Sequence, residues 1–207
     1  MASVVAVIAR GISGVQVRWA GCMPEPKQRI YFANHTSHLD FVVLWSALPH
    51  GVRAATRPVA ARDYWRSGLR AWLAQRVFRA VLIDRNRTAG PPPSEAHARA
   101  VIDSLAQALG ETDSLIIFPE GTRGDGESIA RFRSGLYYLA QQRPDVELIP
   151  VCLENLSRIL PKGEFLPVPL ISLLTFGTPM QLGEAEDRHA FLNRAHAAVE
   201  SLRRGHA

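Results

Sequence analysis

The sequence predicts an α/β fold: a single domain over residues 1–207 with a mainly parallel central sheet flanked by helices. Three observations predict it. Short apolar runs alternate along the chain with longer segments of helical periodicity, the order that lays helices over a parallel sheet. The run Ile30 to Ala33 is continuous rather than alternating, as expected of a strand covered on both faces. Finally, 207 residues, 47% hydrophobic and 21% charged, suit one domain long enough to enclose a core.

Residues 1–20 are predicted as an amphipathic helix, because Val5, Ile8, Ile12, Val15 and Trp19 recur at helical spacing with Arg10 and Arg18 beside them. Two uses of its apolar face stay open, contact with lipid headgroups and packing against the core. Cys22 to Gln28 carries two prolines and reads as a loop into the strand Ile30 to Ala33. Phe41 to Leu48 reads as a buried helix stopped by Pro49, His50 and Gly51, with His50 a turn residue and Val52 to Thr56 a strand. From Arg62 to Arg79 the chain mixes Trp65, Leu69, Trp72 and Phe78 with arginines, and Arg62, Arg66 and Arg70 stand four apart, on one helical face. The tryptophans there fit either inward packing or a membrane interface.

Ala80 to Ile83 is a strand leading to Asp84 and Arg85, and Pro91 to Pro93 is a rigid connector. Ala98, Val101, Ile102, Leu105, Ala108 and Leu109 mark a helix with Ser94 as cap and Gly110 as stop. Leu115 to Phe118 is a strand, about Phe132 to Gln142 a helix, and Leu148 to Leu153 a strand. Pro161 to Pro169 is loop-like, Leu170 to Phe176 a late strand, and Asp187 to Arg204 a closing helix.

Composition excludes several classes. Of 24 basic residues 22 are arginine, and the net charge is +5, which favours phosphate-bearing partners. Without a recognition motif that charge gives no case for nucleic acid. Arg99, Arg143 and Arg158 are read as surface charge. Cys22 and Cys152 are isolated, so neither a disulfide framework nor a cysteine metal site is expected. No run of 18 uncharged apolar residues occurs, so no spanning helix is predicted. Ala2 to Ala9 has no basic segment before it and stops at Arg10, which argues against a cleaved signal. There is no phosphate-binding glycine loop, no G-x-G-x-x-G and no G-x-S-x-G serine elbow.

Chemistry concentrates in two polar knots, each at a predicted strand exit. In the first, Asn34-His35-Thr36-Ser37-His38-Leu39-Asp40, His35 and Asp40 are five apart and would lie roughly 140° apart around a regular helix. At a strand-to-helix turn they meet, and the carboxylate then fixes the imidazole tautomer and frees the other nitrogen to take a proton. Alone the spacing is weak, since 7 His and 8 Asp in 207 residues give about 0.3 such pairs by chance. His38 stands three residues from His35, but no third ligand follows at metal spacing, so no metal is expected. The second knot, Phe118-Pro119-Glu120-Gly121-Thr122-Arg123-Gly124, again follows an apolar run. Sites in open α/β sheets collect outside the carboxyl ends of strands, where the two knots converge.

Taken together, Asn34 to Asp40 and Phe118 to Arg123 resemble the glycerolipid acyltransferase family, which includes the 1-acylglycerol-3-phosphate and other lysophospholipid acyltransferases. Val81-Leu82-Ile83-Asp84-Arg85 and Ile149-Pro150-Val151 resemble two further blocks of that family, in the expected order. Phe132-Arg133-Ser134-Gly135, followed by Leu139-Ala140, resembles another. The likeness covers roughly residues 28–153, the motif-bearing core.

The resemblance implies a glycerol-3-phosphate acyltransferase-like fold, His35 as general base and Asp40 as its orienter. It implies that Glu120, Gly121, Thr122 and Arg123 bind the acceptor, with Arg123 on its phosphate and Arg85 as a further contact. The implied reaction moves a fatty acyl group from acyl-CoA or acyl carrier protein, as co-substrate, to the free hydroxyl of a lysophospholipid such as 1-acylglycerol 3-phosphate. No other cofactor is expected. An anionic membrane surface is the expected partner, with the protein held peripherally at the cytoplasmic face of the cell membrane. A non-catalytic lipid-binding module and a thioester hydrolase are the alternatives.

Overall fold

The computed structural model describes residues 1–37, 39–63, 65, 68–84, 95–159 and 171–204. Among them run seven strands, β1 Gln16–Trp19, β2 Arg29–Ala33, β3 Thr56–Ala61, β4 Val81–Ile83, β5 Ser114–Ile117, β6 Glu147–Glu154 and β7 Leu173–Phe176. The helices are α1 Ala2–Ser13, α2 Asp40–Ala47, α3 His50–Ala54, α4 Gly68–Arg76, α5 Glu95–Leu109, α6 Gly135–Gln142, α7 Leu156–Ile159 and α8 Arg188–Arg204.

The strands form one sheet in the order β1-β7-β6-β2-β5-β3-β4. Strands β2 to β6 are mutually parallel, β7 runs antiparallel to β6, and β1 is parallel to β7. Strand β2 is central, with Ile30 opposite both Leu115 of β5 and Leu148 of β6. All five of its residues are buried, so its unbroken apolar run follows from helices covering both faces. One face carries a core in which Phe41, Leu44 and Trp45 from α2, and Leu48 just after it, meet Phe78 and Ala6. The other packs Leu105 and Leu109 of α5, Leu136 and Leu139 of α6, and Phe191, Ala195 and Val199 of α8. The chain leaves β2 for β3 on one side and later returns to β6 on the other. The carboxyl end of β2 is therefore a topological switch point.

Several expectations are corrected. The amino-terminal helix stops at Ser13, because Gly14 adopts a left-handed conformation (φ 51) that ends a helix at little cost. Beyond it Val17 and Trp19 belong to a strand opposite Leu174 and Phe176, and Trp19 stacks on Phe176 at 4.0 Å. Val52 to Ala54 is helical, since Pro49 starts α3, and β3 begins only at Thr56. Arg62 lies in the turn after β3 and pairs with Asp84 at 2.9 Å, so it shares no helical face with Arg70 in α4. Helix α6 starts at Gly135, because Arg133 is still tied to the second knot by its N–H bond to Pro119 O (2.8 Å). Arg143 is more than surface charge, binding Asp145, Gly110 O and Gln28 Oε1. Arg85, His38, Arg66, Ser94, the Pro91 to Pro93 connector and the loop at 161–169 lie outside the described residues.

Candidate active site

The first knot begins one residue past β2, where the Asn34 side chain continues the sheet in place of a peptide group. Its Nδ2 donates to Leu153 O (2.9 Å) and its Oδ1 accepts from Leu153 N (2.8 Å). The chain then turns, and Asp40 enters as the first residue of α2. There its carboxylate sits at the positive end of the helix.

Asp40 is completely buried, and its Oδ2 accepts from Thr36 N (2.6 Å), Ser37 N (2.8 Å) and His35 Nδ1 (2.8 Å). Bonding to the carboxylate makes Nδ1 the protonated nitrogen of neutral His35, so Nε2 carries the lone pair. The imidazole stacks on Phe118, centroids 4.3 Å apart, and its side chain is 12% exposed. One ring edge is thus held while Nε2 has no protein partner among the described residues. Ser37 is buried and its Oγ accepts from Leu39 N (3.3 Å), an arrangement for holding a turn.

The second knot is built around the first. Glu120 Oε1 accepts from His35 N (2.6 Å), Glu120 Oε2 accepts from Ala130 N (2.9 Å), and Gly124 N donates to His35 O (2.8 Å). Both peptide groups of the histidine are therefore held by residues 85 or more positions away. Glu120 is 4% exposed, and burial raises its pKa against the lowering effect of the His35 and Ala130 amides. Such a group is a brace between the knots.

Gly121 has φ 72, and a Cβ there would lie 2.6 Å from Arg133 Nε. The positive φ favours glycine here, and a larger residue would also have to displace the Arg133 side chain. Arg133 Nε donates to Glu120 O (3.1 Å), which fixes an exposed arginine at the rim beside Thr122 and Arg123, themselves exposed. Among the described residues Arg123 makes no hydrogen bond or ion pair. The structure thus gathers His35, Asp40, Glu120, Gly121, Thr122 and Arg123 at one sheet end. Sequence reasoning missed Phe118 as the ring's stacking partner and the contact that Arg133 makes with the turn. Both stood inside quoted motifs, but neither spacing nor charge distinguished them.

A carboxylate-oriented histidine beside exposed cations, at the carboxyl end of a central parallel strand of an α/β sheet, is the geometry that general-base chemistry requires. The chain belongs to the Acyltransferase family, whose pattern matches residues 15–154. It is 32% identical over 154 residues to 1-acyl-sn-glycerol-3-phosphate acyltransferase alpha of Mus musculus, covering 72% of this chain and 48% of that one. It is 30% identical over 136 residues to the 1-acyl-sn-glycerol-3-phosphate acyltransferase of Salmonella typhimurium, covering 62% and 47%. The chain spans about half the length of these curated relatives. The crystal structure of the 1-acyl-sn-glycerophosphate acyltransferase of Thermotoga maritima shares the fold, with TM-score 0.69 over 99% of this chain and 80% of that one at 18% identity.

Proposed function

We propose that this chain transfers a fatty acyl group from an acyl thioester, acyl-CoA or acyl carrier protein, to the free hydroxyl of 1-acylglycerol 3-phosphate, giving phosphatidic acid. The observation that carries the reading is the 2.8 Å bond from His35 Nδ1 to buried Asp40 Oδ2, beside a turn of exposed arginine.

In this mechanism His35 Nε2 removes the hydroxyl proton as the acceptor oxygen attacks the thioester carbonyl. Asp40 stabilises the resulting imidazolium. The tetrahedral intermediate collapses by breaking the carbon–sulfur bond, and the proton on Nε2 passes to the leaving thiolate. No covalent acyl-enzyme forms. Arg123 holds the acceptor phosphate, with Arg133 as a candidate beside it and Arg85 a further candidate on the resemblance alone, so binding and orientation lower the barrier together. For the oxyanion, the amides of Thr36, Ser37, Gly121 and Gly124 already have acceptors within the protein. The amides of Thr122 and Arg123 have none among the described residues and are the candidates.

The proposed setting is a membrane surface. No helix among the described residues is long and apolar enough to cross a bilayer. Helix α1 packs inward through Ala6 and Ser13 and leaves Met1, Val4, Val7, Ile8 and Ile12 exposed. That face suits peripheral insertion among lipid headgroups, here assigned to the cytoplasmic leaflet.

The test is a transfer assay with purified protein in which donor and lysolipid are varied together. His35→Ala is expected to abolish transfer and leave the fold intact, and near wild-type turnover would overturn the mechanism. Arg123→Ala should lower acceptor kcat/KM roughly 10- to 150-fold with donor KM nearly fixed. A change confined to donor KM would move the turn at 120–123 to the donor site. Thiol release without lysolipid, unchanged when it is added, would make the protein a thioester hydrolase.

A further inference from the structure

At the opposite, amino-terminal end of the sheet a cavity of about 240 Å³ opens between α1, α3 and α4, lined by Ala2, Trp45, Thr56 and Phe78 and by His50, Arg53, Arg76 and Arg79. It is separate from the catalytic knots, because α2 carries Asp40 at one end and Trp45 toward the other, and Thr56 opens β3. Its lining holds no Asp or Glu.

Arg53 is the informative residue. It is 8% exposed, and no carboxylate among the described residues pairs with it. Both of its hydrogen bonds come from Nη1, to Ser46 O (3.4 Å) and Leu48 O (3.2 Å), leaving Nε and Nη2 without a protein acceptor. Its guanidinium lies 5.3 Å from the Trp45 ring centroid. Arg10 approaches the same carbonyls through Nε to Ser46 O (2.6 Å), so burial and then a neighbouring like charge hold the Arg53 pKa below its usual value. Arg76 has no ion pair among the described residues. Asp113 is the carboxylate nearest the cluster, and it is shared between Arg79 (2.9 Å) and Arg57 (3.3 Å). Buried cations are normally paired, and Arg53, unlike Arg79, has no carboxylate partner among the described residues.

The geometry points to a phosphate-binding site in this cavity, held by Arg53, Arg76 and Arg79 and distinct from the acceptor site. Its surroundings favour a phospholipid headgroup over a free phosphate as the source. Ala2 lines the cavity, and the exposed Met1 and Val4 continue from it along α1. On α4, Leu69, Trp72 and Arg76 share a face at i, i+3 and i+7, and both Leu69 and Trp72 are exposed. Apolar faces on either side would enter the headgroup region while the arginines between them take the phosphate. This inference deepens the peripheral-membrane reading and is independent of the acyl-transfer mechanism.

Flotation with vesicles of phosphatidylcholine alone, and of phosphatidylcholine mixed with phosphatidylglycerol, tests it in the full chain. Arg76→Glu changes an exposed, unpaired residue. It should weaken binding to the mixed vesicles by about 5- to 30-fold while leaving binding to neutral vesicles and transfer in detergent unchanged. Arg99→Glu, the same charge change on exposed α5 across the sheet, should cost little. Equal losses in the two variants or a matching loss on neutral vesicles would overturn the site, as would no loss in either without selective stabilisation by inorganic phosphate. Absence of binding to either vesicle by the wild type would instead remove the membrane reading itself. A thermal-shift titration with inorganic phosphate separates the sources. Stabilisation of wild type and not of Arg76→Glu, with equal vesicle binding, would keep the site and assign it to free phosphate.

Discussion

Asp40 uses one oxygen for three hydrogen bonds and leaves Oδ1 buried without a partner among the described residues. In Asp40→Asn the amide oxygen must take the Oδ2 position, because the Thr36 and Ser37 amides both donate there. The NH2 group then sits where no acceptor is found, and the imidazolium loses its counter-charge. Steady-state kinetics should show kcat/KM lower by about 10²-fold or more, and unchanged kinetics would make Asp40 a helix-start residue alone. Glu120 presents a different problem, since its two oxygens accept from two separate amides. Glutamine can accept at only one of these places, so Glu120→Gln should cost about 1 to 3 kcal/mol in a denaturant melt. By shifting His35 it should also lower kcat by roughly 10- to 100-fold. Because burial raises the Glu120 pKa, the folded state binds more protons than the unfolded state above the ordinary glutamate value. The wild type should therefore lose stability as pH rises from that value through the folded pKa, and the Gln variant should lack this segment. A flat difference between the two stability profiles would contradict the assignment.

Among the elements, α1 shows how far sequence reading carries. The apolar repeat identified a helix, but Val5, Ile8 and Ile12 do not share a common fate. The buried side is a small-residue seam of Ala6 and Ser13, flanked by half-buried Val5, while Val4, Val7, Ile8 and Ile12 face outward. Replacing Val4 and Ile8 together by Asp should therefore barely change the melting temperature. It should lower retention on neutral vesicles by about tenfold or more, given the apolar area withdrawn from the interface. Unchanged retention would show that this face does not touch lipid. Strands β2, β5 and β6 were legible because burial on both faces leaves an unbroken apolar signature. Strand β1 was not, since its Gln16 to Arg18 stretch is exposed and Val15 and Trp19 also fit a continuing helix. Only the Gly14 conformation and the distant β7 decide between them. In the site, the His35–Asp40 pair and the Glu120 turn stood out only through the two motifs taken together. The brace role of Glu120 could not, because its partners are main-chain amides that carry no side-chain signal.

For the molecule as a whole, a net charge of +5 and an exposed apolar helix predict two separable components of membrane affinity. Raising ionic strength from about 0.1 M to about 1 M shortens the screening length from about 10 Å to about 3 Å. It should remove the extra retention on anionic vesicles while leaving the neutral-vesicle component in place. Salt-insensitive retention on anionic vesicles would contradict this division. The sheet's closure carries a consequence in time as well. Gln16 of β1 finds its ladder partner at Leu173 of β7, so a ribosome moving at about 5–20 residues per second leaves that early strand waiting roughly ten to thirty seconds. Throughout that interval its amides have no sheet to join, and the last strand made is the one that fixes nearly the first. A nascent fragment ending before Leu173 should accordingly exchange its β1 amide hydrogens freely while those of β2, β5 and β6 are already protected.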